Sequence, residues 1–218
     1  MAQIAIERFA LGPMQNFVYL LVPQAKDRLI AVDPAWEPEV LQARAQALGR
    51  PITDVILTHH HPDHRNGVEV LLEQQPVRIH VQKSELPWLK DLGWRSDLVL
   101  HEPGDRLELG LGESLRLIHT PGHTPGSQCI ECAGHLLTGD TLFIDGCGRC
   151  DLPGGDPNTM FHSLFDTLAA LPASTVVLPG HDYAPTPEAS LGEQRKTNPY
   201  LQFHSQADFS RYRMRPRT

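Results

Sequence analysis

THHHPDHRNG, residues 58–67, follows the apolar run DVIL (54–57) and packs four histidines and an aspartate into the six positions from His59 to His64. A β-type run that breaks into so polar a turn is where α/β proteins place their chemistry, because loops beyond strand ends are held by the sheet yet open to solvent. His59 and His61 are two apart, so in extended backbone they share one side and His60 points to the other. Asp63 and His64 lie past Pro62, in position to turn toward a second site.

The pattern repeats along the chain. SLRLIHT (114–120) runs into PGH and delivers His123, HLLTGDTLF (135–143) delivers Asp140, and TVVLPGHDY (175–183) delivers His181. Four strand ends thus carry metal-competent side chains, mostly beside a glycine that permits close approach. Imidazole with carboxylate suits zinc, iron or manganese, and not calcium. Two such ions about 3.5–4 Å apart form a hydrolytic site, in which one acidifies a water and both clamp the attacked group. A single histidine at a strand end is ordinarily a turn residue, and that plain reading is kept for His60, His80, His101, His119, His135, His162 and His204.

Composition bounds what such a site can serve. The 218 residues are 40% hydrophobic and 21% charged, as in one ordinary globular domain. A formal charge of −7 argues against nucleic acid or an anionic membrane as partner. No run approaches the roughly 18 apolar residues of a membrane span. The start, MAQIAIERFALGPM, carries Glu7 and Arg8 inside its apolar stretch, unlike a secretory leader, so a cytoplasmic location is expected. In that reducing setting Cys129, Cys132, Cys147 and Cys150 are thiols or ligands sooner than disulfides.

Short β-type runs at 3–9, 17–22, 29–32, 54–58, 77–81, 114–120, 127–132 and 175–178 alternate with helical patterns at 37–49 and 157–171 and a shorter one near 67–74. The mixture is of α/β class. DVILT and TVVL are nearly continuous apolar runs, as strands covered on both faces tend to be. The segment from about Pro185, rich in Pro, Glu, Arg and Asn, is expected as a surface tail of a single domain spanning 1–218. Its last arginines, Arg211, Arg213, Arg215 and Arg217, are expected at a solvated end, with a homodimer contact as the alternative.

The motif set resembles the metallo-β-lactamase superfamily. THHHPDH matches its T-H-x-H-x-D-H signature, and TPGHTPGS, TGDTLF and PGHDY match the next three metal motifs in order, over about residues 4 to 203. The resemblance implies an αββα sandwich of two similar halves with metals in a groove at one edge. It implies one ion on His59, His61 and His123 and a second on Asp63, His64 and His181, with Asp140 bridging. Zinc is the first choice, and iron or manganese are the alternatives. Asp33, after LIAV (29–32), matches an acid that supports ligands of this kind.

The superfamily holds hydrolases of lactams, thioesters, phosphodiesters and lactones, as well as oxidoreductases, so fold alone does not choose. GCGR (146–149) after GDTLF resembles glyoxalase II, which hydrolyses S-2-hydroxyacylglutathione thioesters, and also the glutathione persulfide dioxygenases. In glyoxalase II, residues matching Arg149 and Tyr183 contact glutathione. That resemblance implies a metal-bound hydroxide as nucleophile, with Asp63 as ligand and proton acceptor. Full-length glyoxalase II also carries a C-terminal helical domain to which these 218 residues show no match. The ending EQRKTNPYLQF (193–203) shares Asn-Pro-x-Leu with compact glyoxalase II-like hydrolases and with the dioxygenases, and GCGRCDL stands where the dioxygenases have GCGRTDF. The expected function is thioester hydrolysis of the glyoxalase II type. The alternative is a persulfide dioxygenase with a single Fe(II) on His59, His123 and Asp140, two histidines and a carboxylate.

CIEC (129–132) and CGRC (147–150) have nearly zinc-ribbon spacing, but residues three apart on a strand face opposite sides, which argues against a shared ion at CIEC. Cys129 and Cys132 are expected as buried thiols, and Cys147 as a substrate-pocket residue. There is no G-x-S-x-G elbow, Walker A loop or H-E-x-x-H motif.

Overall fold

Alternation along the strands builds the layers. In β2 (Asn16–Val22), Tyr19 and Leu21 face one hydrophobic core while Val18 and Leu20 face another, as the two-residue period of a strand requires. A computed structural model describes residues 4–25, 27–90, 92–94 and 97–215. Among them, β1 (Ala5–Leu11), β2, β3 (Leu29–Val32), β4 (Ile52–Ile56), β5 (Arg78–Gln82) and β6 (Leu98–His101) form one sheet in that order. Strands β7 (Arg106–Gly110), β8 (Glu113–His119), β9 (Gln128–Cys132), β10 (His135–Gly139), β13 (Val176–Pro179) and β14 (Ala189–Ser190) form the second, in the order β14-β13-β10-β9-β8-β7. A small hairpin, β11 (Leu142–Phe143) with β12 (Gly146–Cys147), stands apart.

Between the sheets lies a core of Tyr19, Leu21, Ile30 and Ile56 against Leu117, Ile130, Leu137 and Leu178. Helices α1 (Pro38–Leu48) and α3 (Val68–Gln74) cover the outer face of the first sheet, burying Leu41 and Leu71 against Leu20, Ala31, Val55 and Ile79. The outer face of the second sheet is covered by α5 (Pro157–His162), α6 (Leu191–Thr197) and α7 (Gln206–Arg213), with Met160, Leu191 and Phe209 against Cys129, Leu136 and Val177. The result is the expected single-domain αββα sandwich. Two four-residue helices, α2 (Pro62–Arg65) and α4 (Leu86–Leu89), sit in the loops at the strand ends. No helix among the described residues is long and apolar enough to cross a membrane.

Helix α1 runs as its sequence predicts, from Pro38 to a left-handed C-cap at Gly49 (φ 63°). The helix expected over 157–171 loosens after His162 into a wider turn over 163–167 and a tight one over 168–170. Its apolar stripe still reaches the core, with Leu164, Leu168 and Leu171 buried. Cys129 and Cys132 fall on opposite faces of β9, one in the outer core and one between the sheets. The segment after residue 185, expected as a surface tail, is instead part of the packing. It supplies β14, α6 and α7, and it buries Leu191 and Phe209 because the outer face of the second sheet needs a cover. Arg213, expected at the solvated end, is only 5% exposed, while Arg217 lies outside the described residues.

A buried polar chain ties the parallel strands β4, β5 and β6. Asp54 accepts from His80 Nε2 (2.9 Å) and Thr53 Oγ1 (2.7 Å) and pairs with Arg78 (2.8 Å), and His80 Nδ1 meets His101 Nε2 at 2.8 Å. Burial alone would raise the Asp54 pKa, but bonds from His80, Thr53 and Arg78 outweigh it and bring the pKa to about 2. A depressed carboxylate stabilises the fold above its unfolded pKa and ceases to as the pH falls through its folded one. Asp54 is therefore expected to contribute on the order of 2 kcal/mol at neutral pH, lost between about pH 4 and pH 2. Denaturant titrations of wild type and Asp54→Asn should show a stability gap that closes across that window. A gap independent of pH would mean that the carboxylate is not held ionised.

Candidate metal centre

Seven side chains converge where β4, β8, β10 and β13 end. The strand end after β4 delivers His59 and His61, and the turn into α2 at Pro62 swings Asp63 and His64 to the other side. The loops after β8, β10 and β13 deliver His123, Asp140 and His181. The ligand-type atoms fall into overlapping groups, among them His59, His61 and His123, and Asp63, His64 and His181, each within 4.8 Å of one another. In the first group His61 Nδ1 lies 2.9 Å from His123 Nε2. In the second, His64 Nε2 lies 3.2 Å from His181 Nε2, and Asp63 Oδ2 is 3.6 Å from each. Asp140 stands between them, with Oδ1 3.3 Å from His64 Nε2 and 3.4 Å from His181 Nε2, and Oδ2 3.5 Å from His123 Nε2.

These residues fit metal ions. Ligand atoms bound at ~2.0–2.1 Å around a tetrahedral ion lie roughly 3.3 Å apart, close to the separations seen here. His59 Nε2 and Asp140 Oδ1 are buried with no hydrogen-bond partner among the described residues. Such orphaned atoms cost stability unless a ligand takes them up. The outward nitrogen of each of four histidines is anchored. His59 Nδ1 meets Thr58 Oγ1 (3.0 Å), His64 Nδ1 meets Asp33 Oδ2 (2.8 Å), His123 Nδ1 meets the Arg149 carbonyl (2.7 Å) and His181 Nδ1 meets the Met14 carbonyl (2.9 Å). Thr58 Oγ1 donates to Asp33 Oδ2 at 2.6 Å, so it accepts from His59 Nδ1 and leaves the Nε2 lone pair facing inward.

Charge follows geometry. Burial and the neighbouring imidazoles push His59 well below its usual pKa, burial brings His61 to about 4, and burial also lowers His123. These rings stay neutral at pH 7, as metal binding demands. Burial opposes ionisation of Asp140, yet the facing His64 and His181 hold it well below the carboxylate range. Burial likewise opposes a charge on His64, but Asp140 and Asp33 raise its pKa, so the second group calls for positive charge.

The other expected residues lie nearby in different roles. His60 faces away, stacked on Trp88 (4.8 Å, 9°) and bonded through Nδ1 to Glu85. Tyr183, 56% exposed, stacks on the His181 ring (4.7 Å, 8°) and meets Phe143 edge-on. Tyr183, Phe143 and Cys147 line a cavity of about 310 Å³. The Arg149 guanidinium is bound at two points to Asp151 (3.0 and 2.7 Å), so its charge is already matched, and it is the backbone carbonyl that reaches the site.

Sequence reading missed Asn16 and Glu85. Asn16 donates to the Asp63 carbonyl (3.0 Å) and accepts from Trp36 Nε1 (2.6 Å). Glu85, 1% exposed, accepts from Thr124 Oγ1 (2.7 Å) and Gly126 N (2.6 Å) as well as His60, which ties the His59–His64 loop to the His123 loop. Both contacts span long sequence separations and have no local signature.

Residues 11–181 match the family model described as the Metallo-beta-lactamase superfamily. The chain belongs to that superfamily, in its glyoxalase II and persulfide dioxygenase branch. It is 33% identical over 201 residues to the probable polyketide biosynthesis zinc-dependent hydrolase BaeB of Bacillus velezensis, covering 92% of this chain and 88% of that protein. It is 37% identical over 215 residues to the hydroxyacylglutathione hydrolase of Alkalilimnicola ehrlichii, covering 98% of this chain and 78% of that one. The crystal structure of ETHE1 from Myxococcus xanthus superposes with a TM-score of 0.86 at 25% identity, over 98% of this chain and 93% of that one. The chain is a metal-dependent enzyme of the metallo-hydrolase superfamily, of the kind that acts on thioester-like or other sulfur substrates.

His59→Ala is expected to lower bound metal sharply, read by elemental analysis. His60→Ala should keep its metal while losing about 1–3 kcal/mol of stability in denaturant titration, because a buried Glu85 loses a partner. Equal metal loss in both variants would contradict the two-sided arrangement.

Proposed function

We propose that, within that class, the chain acts as a glutathione persulfide dioxygenase, with one iron on His59, His123 and Asp140. The observation that carries this reading is His59 Nε2, which is buried with no hydrogen-bond partner among the described residues. Beside it, His123 Nε2 and Asp140 Oδ2 lie 3.5 Å apart, which makes a set of two histidines and one carboxylate. The likeness to ETHE1 over nearly the full length of both chains supports the same reading and moves it ahead of the glyoxalase II expectation. Bound there, iron would supply the redox chemistry and the open positions for O₂ and sulfur. The protein's part is to fix ligand tautomers through Thr58, Asp33 and the Arg149 carbonyl. The cavity lined by Tyr183, Phe143 and Cys147 receives the thiol half of the substrate.

Thioester hydrolysis at two ions is the second reading. The separations within Asp63, His64 and His181 favour it, as does the likeness to the two hydrolases. In that case zinc, iron or manganese would supply Lewis acidity. Asp63, held through its backbone by Asn16, takes the proton of the attacking water.

Metal content per chain, measured with oxygen uptake on glutathione persulfide and cleavage of lactoylglutathione, separates the two. One iron per chain and oxygen uptake that survives Asp63→Ala but not Asp140→Ala is the expected result. Two ions, thioester cleavage and no oxygen uptake would replace it with the hydrolase.

A further inference from the structure

We infer that Arg213, on the helix α7, is a positioning residue for the His123 and Asp140 side of the metal centre. The inference rests on the metal-centre reading and holds for one ion or two. Arg213 is 5% exposed, and its Nε donates to the Gly148 carbonyl at 2.7 Å. Its Nη2 is buried with no hydrogen-bond partner among the described residues, and its guanidinium lies 5.8 Å from the Tyr200 ring centroid. The guanidinium also faces the Cys150 thiol, and burying a cation between a thiol and a main-chain carbonyl costs stability that the fold can meet where the carbonyl's position matters.

Gly148 is at such a position. A Cβ built on it would lie 1.7 Å from the Asp140 carbonyl oxygen and 3.2 Å from Cγ of His123, so only glycine lets this backbone lie against both. The next carbonyl, of Arg149, receives His123 Nδ1. Adjacent peptide units therefore do linked jobs. One is held from outside by Arg213 and the other sets the tautomer and direction of His123. The two peptide planes share the Arg149 Cα, so a displacement of the first moves the pivot from which the second is directed.

Helix α7 is anchored well enough to transmit this hold. Ser205 caps it, Ser210 Oγ meets Asn158 Oδ1 at 2.8 Å, and Phe209 is fully buried among Phe161, Phe165 and Phe203. Its neighbour α5 presses on the loop that carries His123, since a Cβ at Gly122 would fall 2.4 Å from Met160 Cα. Arg211, on the same helix with its side chain 79% exposed and paired to Asp208, serves as the internal control.

The test compares full-length wild type, Arg213→Met, Arg213→Lys and Arg211→Ala. Metal affinity is read by competition with a chromophoric chelator, the ligand field by the Co(II) spectrum, folding by circular dichroism of the metal-free protein, and turnover by kcat and KM. Arg213→Met is expected to fold, to bind metal about 10–100-fold more weakly and to lose kcat with little change in KM. Its Co(II) spectrum should shift, Arg213→Lys should recover part of the loss, and Arg211→Ala should match wild type. Wild-type affinity and an unshifted Co(II) spectrum in Arg213→Met would overturn the inference. So would a loss of metal-free stability alone. If Arg213→Met does not fold, Arg213→Lys decides on the same readouts, with wild-type values overturning the inference. A wild-type chain that takes up no metal would instead remove the metal-centre reading, and this inference with it.

Discussion

One carboxylate oxygen organises the centre. Asp33 Oδ2 receives both Thr58 Oγ1 and His64 Nδ1, while Oδ1 receives Thr58 N at 2.7 Å. Through Thr58 it orients His59 and directly it orients His64, so one buried acid aims a nitrogen into each of two groups of ligands. Asp33 sits at the end of β3 with φ 50°, a left-handed conformation that turns its side chain back under the neighbouring strand end. The geometry of both groups therefore depends on a left-handed turn at the end of β3.

The sheets supply what that acid requires. Strands β3 and β4 are parallel, with Val32 beside Ile56, so Asp33 and Thr58 come to lie side by side just past the sheet. The second sheet brings β8, β10 and β13 to the same edge, and the core between the sheets holds the two sets of loops in contact. The glycine at 148 and the carbonyls of Met14 and Arg149 then complete a shell in which main chain anchors His123 and His181 while side chains anchor His59 and His64. Backbone donors and acceptors of this kind leave the side chains lining the groove free to differ between relatives of the fold.

Much of this was legible in the sequence because it is local. The two-residue alternation of His59, His60 and His61, the apolar runs ahead of each motif and the cap at Gly49 all depend on neighbours within a few positions. What was not legible depends on partners far along the chain. Nothing in KSELPW marks Glu85 as a buried acid, because its partners at 60, 124 and 126 come from two other loops. Arg213 reads as one of several solvated tail arginines until Phe209, one helical turn away, is seen to be buried and to bring that face of α7 inward. The split of the helix over 157–171 also escaped, since its apolar spacing is satisfied equally by the loosened turns.

The placement of the cysteines bears on the chemical durability of the molecule. None forms a disulfide, all four are buried, and burial pushes the thiols of Cys129, Cys132 and Cys150 up to about 11, 12 and 12. At neutral pH almost none of these three is thiolate, the form that attacks disulfides, persulfides and alkylating agents. These three thiols are thus poor targets for electrophilic reagents at neutral pH, and the interior of the sandwich is shielded from covalent damage by its own packing.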